Sequence, residues 1–215
     1  MPRTIVVGDI HGCFDELTDL LDLIKLQKDD RVVAVGDLIT KGPKNREVLD
    51  LFISDRRFSS VVGNHDRAIR QKLRGEPVLL TKEQRQTLVE LELNRERYAT
   101  YLRSLPYTIC LGSYLVVHAG VRPGVALDQQ MTSDMTEIRT MGADPSQRRG
   151  VPWYRVYQGP ETIIFGHWPA KSPRRGPYAI GLDTSCVYGG RLSAYIIESK
   201  QFVSVNARDQ YAKKR

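Results

Sequence analysis

Every histidine of this chain stands in a short glycine-bearing motif, and each motif follows an apolar run. There are four, His11, His65, His118 and His167. They fall in Gly8-Asp9-Ile10-His11-Gly12, Gly63-Asn64-His65-Asp66, His118-Ala119-Gly120 and Gly166-His167, and Gly36-Asp37 is placed in the same way. Histidines used only for packing would also occur elsewhere. The runs before these motifs, residues 3–8, 31–36, 59–62, 114–118 and 162–166, read as buried strands. The chain must therefore bring the carboxyl ends of several strands together. Loops at those ends of a parallel sheet converge on one crevice.

The rest of the pattern agrees. Residues 14–25 carry apolar positions at helical spacing, and 45–54 follow the Gly42-Pro43 turn as a second helix. This β-α-β-α-β alternation predicts a parallel core sheet. Residues 81–104 interrupt it with two helices, a helical insertion. Strands resume at 107–111 and 114–118. A Gly-, Pro-, Asp- and Arg-rich stretch, 124–160, holds one helix near 131–140. Strands at 162–166, 178–182, 191–198 and 201–205 complete the chain, with Gly189-Gly190 marking a hairpin or a close backbone approach.

Hard divalent ions take carboxylate, carbonyl and imidazole ligands. Asp9 and His11 lie two apart, so an extended backbone can turn both to one side. Asp37 can bridge two ions through its two oxygens, and Asn64, His118 and His167 can complete the second. Each motif alone is weak, since a lone buried histidine is more often a satisfied core residue than a ligand. Five of them in order, each after an apolar strand, predict a metal site.

These motifs resemble the metallophosphoesterases of the phosphoprotein phosphatase superfamily, from Gly8 to about Leu192. The resemblance implies a calcineurin-like α/β/β/α sandwich formed as one domain over 1–215, with the helical insertion at about 75–106 beside the active site. It implies that Asp9, His11, Asp37 and His167 surround the first metal and the bridge. His167 then goes with Asn64 and His118 on the second metal, and Asp37 bridges. His65 matches the general acid. The mechanism implied is two-metal hydrolysis, with ions about 3.5–4 Å apart activating water for in-line attack while His65 protonates the leaving oxygen.

The sequence departs from protein phosphatases in Gly36-Asp37-Leu38-Ile39-Thr40-Lys41-Gly42-Pro43. Thr40 replaces the acid that orients the catalytic histidine there, and Lys41 replaces a phosphate-clamping arginine with a point charge. Asp66 stands where those enzymes usually carry Glu. Together with Ile164-Phe165-Gly166-His167-Trp168 and the run from Leu182 to Leu192, these changes resemble the ApaH-like branch, named for bacterial symmetrical diadenosine tetraphosphatase. That implies hydrolysis of phosphoanhydrides, first diadenosine tetraphosphate to two ADP, with messenger RNA caps, inorganic polyphosphate and phosphoprotein as alternatives. Such leaving groups need little help from a tuned acid, consistent with the loss beside His65. Substrate phosphate is expected to meet Lys41, Asn64 and Arg139, with Arg148, Arg149 and Arg155 as competitors to Arg139. Trp153, Tyr154 and Tyr157 are expected to pack rather than stack on a base.

Composition sets outer bounds. With 215 residues and 41% hydrophobic content the chain can bury a core without disulfides. Cys13, Cys110 and Cys186 are odd in number and lack ligand spacing, so reduced thiols in the cytoplasm are expected. No leader or membrane-length apolar run is visible. The net charge of +7 suits anionic substrates, although the tail Ala212-Lys213-Lys214-Arg215 is expected to be a solvated basic end. Manganese is the expected metal, with iron, cobalt or zinc also suited to mixed oxygen and nitrogen ligands. The expected partner is a phosphorylated small molecule, with no membrane and no obligate protein partner. A metal-bound scaffold without turnover is the opposing reading.

Overall fold

Alternate residues of the first strand face two different layers. In the computed structural model, which describes residues 2–213, β1 (Thr4–Val7) sends Val6 between two sheets and sends Ile5 and Val7 toward helices. β2 (Arg31–Ala34) repeats the pattern with Val33 against Val32 and Ala34. Both strands are covered on both faces, which is why they read as unbroken apolar runs.

The first sheet has the order β10-β9-β1-β2-β3, with β3 at Phe58–Ser60, β9 at Arg191–Ile196 and β10 at Gln201–Asn206. β1, β2 and β3 are parallel, while β9 and β10 add antiparallel strands at one side. The second sheet runs β4-β5-β6-β8-β7, from β4 (Thr108–Leu111), β5 (Tyr114–Val117), β6 (Thr162–Phe165), β7 (Arg174–Gly176) and β8 (Ala179–Gly181). Its central strands β5, β6 and β8 are parallel. Val6, Val33, Val35 and Val61 of one sheet meet Val116, Ile164 and Leu182 of the other. Each fully buried side chain of this size contributes about 1.5–3 kcal/mol.

The outer layers are unequal. α1 (Phe14–Ile24), α2 (Asn45–Ser54), α3 (Asn64–Leu73), α4 (Lys82–Leu91) and α5 (Arg95–Ser104) cover the first sheet. α1 buries Leu17, Leu20 and Ile24 on one stripe. The outer face of the second sheet is covered by α6 (Thr132–Glu137), α7 (Trp153–Val156) and their loops, packed through Met135, Ile138, Trp153 and Tyr157. The result is the expected α/β/β/α arrangement.

α3 and β7 escape the sequence reading. The α3 segment is mostly polar; Ile69 and Arg70 join its buried face beside Asp66, and Leu73 packs partly buried at its end. The helix near 131–140 is shorter than expected and ends at Glu137, so Arg139 lies in extended chain beyond it. Gly190 is a close approach rather than a hairpin turn, since a Cβ there would lie 2.3 Å from the Thr184 carbonyl oxygen.

Candidate metal centre

Turns at the carboxyl ends of five strands deliver the motif residues to one place. Asp9 and His11 follow β1, and Asp37 follows β2. Asn64 and His65 open α3 after β3, His118 follows β5, and His167 follows β6. The turns are strained: φ is 50° at His11, 48° at Asp37, 82° at Thr40, 71° at Lys41 and 63° at His167. Such conformations cost about 1–3 kcal/mol each and persist only where the surroundings impose them. Two glycines leave room for the carboxylates. A Cβ on Gly63 would lie 2.1 Å from Asp37 Oδ1, and one on Gly166 would lie 1.9 Å from Asp9 Oδ1.

The backbone sets which ring nitrogens carry lone pairs. His118 Nδ1 donates to the Val35 carbonyl at 2.9 Å, so its Nε2 is bare. That atom lies 3.0 Å from Asn64 Oδ1 and 3.6 Å from Asp37 Oδ2. His11 Nδ1 likewise donates to the Ile39 carbonyl at 3.2 Å, leaving Nε2 bare at 3.4 Å from Asp37 Oδ2. His167 turns Nδ1 to Asn64 Oδ1 at 3.0 Å, and its Nε2 is buried without a partner. Acceptor thus faces acceptor. Backbone carbonyls that fix the tautomer of an imidazole are the usual outer support of a metal ligand, and a cation is what such a cluster is built to hold. Asp9, Asp37 and His118 offer ligand atoms all within 4.8 Å of one another, as do His11, Asp37 and His65.

Electrostatics point the same way. Burial, then the charges of Asp183 and Asp37, hold the Asp9 carboxyl well above its ordinary range. Burial lifts Asp37 to about 6 and Asp66 to about 7. Burial pushes His118 down to about 4 and holds His11, His65 and His167 well below the usual imidazole value. Neutral imidazoles and crowded carboxylates in one buried place are what a bound dication would stabilise, since its charge favours both ligand forms.

The supporting residues were only partly foreseen. Asp66 is fully buried, and its carboxylate accepts from the N–H groups of Leu38 and Gly63, each at 3.1 Å. It thereby clamps the Asp37 turn to the start of α3. Asp9 accepts the His167 N–H at 3.0 Å. Asp183 is buried beside the same carboxylates, where burial raises its carboxyl. Its position in the Leu182–Leu192 run was the only signal for it. Thr40 does not face His65; its hydroxyl lies 3.5 Å from His11 Nδ1. The side chain beside His65 is Gln84 of α4, whose Nε2 is 3.3 Å from His65 Nδ1.

Among the expected phosphate contacts, Lys41 Nζ lies 3.1 Å from His11 Nε2 and 5.4 Å from the Tyr188 ring centroid. Lys41, His65, Arg148, Tyr188 and Lys213 share a cleft of about 240 Å³. Lys213 lines this cleft while remaining exposed, and Lys214 and Arg215 lie outside the described residues. Arg139 is held by a bond from Nη1 to the Ser146 carbonyl at 2.5 Å, with Nε buried and unpartnered. Burial lowers it, and Asp183 and Asp37 are near enough to oppose that. Arg149 and Arg155 are exposed. Trp153, Tyr154 and Tyr157 are buried in the second sheet's core, with Trp153 Nε1 donating to the Ala119 carbonyl at 3.1 Å. All three cysteines are free thiols, but the fold brings Cys13, Glu16 and Cys186 within 4.8 Å of one another, which chain spacing did not foretell. No described helix is long and apolar enough to cross a membrane.

The calcineurin-like phosphoesterase family model matches residues 2–205. The chain is 29% identical to bis(5'-nucleosyl)-tetraphosphatase PrpE (asymmetrical) of Bacillus subtilis, with 98% of this chain and 97% of that one covered. It is 30% identical to the protein of the same name from Anoxybacillus flavithermus, covering 96% and 95%. A crystal structure of a protein provisionally named a diadenosine tetraphosphatase superposes with a TM-score of 0.80 at 34% identity, covering 97% of both chains. A serine/threonine phosphatase from Saccharomyces cerevisiae shares the fold, with a TM-score of 0.69 at 16% identity, covering 97% of this chain and 80% of that one.

Proposed function

We propose that this chain, which belongs to the calcineurin-like phosphoesterase family and is a metal-dependent hydrolase, cleaves a phosphoanhydride bond of dinucleoside tetraphosphates. One observation carries the reading: bare acceptors of Asp37, Asn64, His11 and His118 face one another next to a cleft lined by Lys41, Arg148 and Lys213, with Lys41 Nζ 3.1 Å from His11 Nε2. The first group suits cations, and the second suits a chain of phosphates. The full-length likeness to proteins named tetraphosphatases supports the substrate class.

In this reading Asp9, His11 and Asp37 hold one divalent ion, and Asp37, Asn64, His118 and His167 hold the other. Manganese is the first choice for the mixed oxygen and nitrogen set. Bound ions supply Lewis acidity to the phosphoryl oxygens and to water. The chain supplies the rest. Lys41 neutralises a non-bridging oxygen as a point charge, and Arg139 approaches from the opposite loop. His65 faces the leaving oxygen. The whole chain acts as one domain, with the start of α4 forming one wall of the site.

The bond cleaved is open to a direct test. Symmetric attack on diadenosine tetraphosphate gives two ADP, as the sequence resemblance implied. The relatives' qualifier, asymmetrical, favours ATP and AMP instead. The deciding experiment is a manganese-supplemented panel of diadenosine tetraphosphate, capped RNA, polyphosphate and a phosphothreonine peptide, resolved by product chromatography. Turnover of the peptide alone would replace this reading with a protein phosphatase. Stoichiometric metal with no turnover of any member would replace it with a scaffold.

A further inference from the structure

We infer that Gln84 is a positioning residue that keeps His65 a neutral hydrogen-bond donor, and so restricts the enzyme to leaving groups able to depart as anions. The inference rests on the reading of His65 as the residue facing the leaving oxygen. It begins with the orientation of an amide. Gln84 closes the N-terminal turn of α4: its Oε1 accepts the Thr81 N–H at 2.9 Å, and its own N–H donates to Thr81 Oγ1 at 3.3 Å. A backbone N–H can be met only by an oxygen, so the reciprocal bond settles which end of the amide is which. The remaining end, Nε2, is a pure donor. It lies 3.3 Å from His65 Nδ1, and Gln84 is only 5% exposed.

A donor facing Nδ1 requires a lone pair there. The ring's single proton then sits on Nε2, and a second proton on Nδ1 would oppose two donors. A carboxylate at this place would act in the reverse sense, accepting from Nδ1–H and tolerating a doubly protonated ring. Gln84 therefore gives His65 a proton to share but none to surrender, because losing it would leave an imidazolate. A neutral imidazole used as an electrophile is an established catalytic device. The step balances without proton transfer from His65. A water oxygen forms a bond to phosphorus, and the P–O bond to the leaving group breaks. The bonding pair stays on the leaving oxygen, and the proton lost by water goes to solvent. A nucleotide phosphate can leave in this way. The alkoxide of a phosphoserine cannot do so readily.

The test compares wild type, Gln84→Glu and Gln84→Met on diadenosine tetraphosphate, p-nitrophenyl phosphate, phenyl phosphate and a phosphoserine peptide. In wild type, kcat should fall steeply as the leaving group becomes more basic. Gln84→Glu should raise kcat on the phosphoserine peptide relative to the dinucleotide by about 10²-fold, the low end of what proton transfer contributes, with KM little changed. Nitrogen-15 NMR of the zinc-loaded protein should show His65, identified by loss of its signals in His65→Ala, protonated only at Nε2. Gln84→Met should release that tautomer. An unmoved substrate ratio in Gln84→Glu, or a wild-type ring protonated at Nδ1, would overturn the inference. If wild type turned over no substrate, the proposed function would fall, while the NMR comparison would still decide the role of Gln84.

Discussion

The backbone N–H of His65 donates to Asp37 Oδ1 at 2.9 Å. The residue assigned to bridge the metals and the residue assigned to the leaving group are thus fixed to each other directly. Asp37→Asn turns a two-oxygen acceptor into a group with one oxygen, which cannot both receive this N–H and bridge two ions. The expected outcome is loss of at least one metal per chain by elemental analysis, together with loss of turnover.

His65→Ala should leave the metal content intact, because all six proposed ligands, Asp9, His11, Asp37, Asn64, His118 and His167, remain. Removing one donor from a developing oxyanion costs about 10²- to 10³-fold in kcat. Steady-state kinetics on diadenosine tetraphosphate, with metal quantified in parallel, would check this. A variant with wild-type kcat would remove His65 from the chemistry.

Gly166→Ala would place a methyl group where Asp9 Oδ1 now lies, at 1.9 Å. Asp9 must shift. Disturbing the support of a ligand lowers metal affinity by about 10- to 100-fold, which calorimetric titration of the metal-stripped protein can read. Unaltered affinity would place Asp9 outside the first metal's ligand set.

Lys41→Ala and Lys213→Ala should raise KM for the dinucleotide more than they lower kcat, since both cations line the cleft. The two effects should shrink as ionic strength rises, through screening. KM values equal to wild type at low salt would exclude both from substrate binding.

Asp30 gives a pH prediction away from the site. The Arg3 guanidinium holds its carboxyl down to about 2, with help from the Gln27 and Arg3 backbone N–H groups. The folded value lies below the unfolded one, so the stabilisation is complete above about pH 4 and is lost as pH falls toward 2. A depression of this size is worth about 2 kcal/mol. Asp30→Asn should therefore be less stable by that order at pH 7 in urea melts. Its deficit should narrow between about pH 4 and 2, and a deficit constant across that window would assign the loss to packing.

The convergence of the proposed ligand residues was legible because it is local: each residue sits within a few positions of an apolar strand, and a strand end fixes where a turn can go. The same logic placed β1, α1, β2 and α2. It failed for α3, where the helix follows from the turn that presents Asn64 and from capping by Asp66, not from an apolar stripe. It also failed for Gln84. The Thr81-x-x-Gln84 capping box marks it only as part of a helix start, and its meeting with His65 depends on how α4 packs on α2 and α3. Arg139 was assigned to a helix that ends before it. Cys13 and Cys186 come together only because β9 pairs beside β1.

The proposed ligands come from both sheets. Asp9, His11, Asp37 and Asn64 follow strands of the first, while His118 and His167 follow strands of the second, and Asp9 and His167 are 158 positions apart. A cation held between them would add a further tie between two layers that meet mainly through apolar side chains and through the His118–Val35 and His167–Asp9 hydrogen bonds. It closes a loop of most of the chain's length, as a cross-link would. The same few atoms would then serve both the chemistry and the union of the two halves of the sandwich.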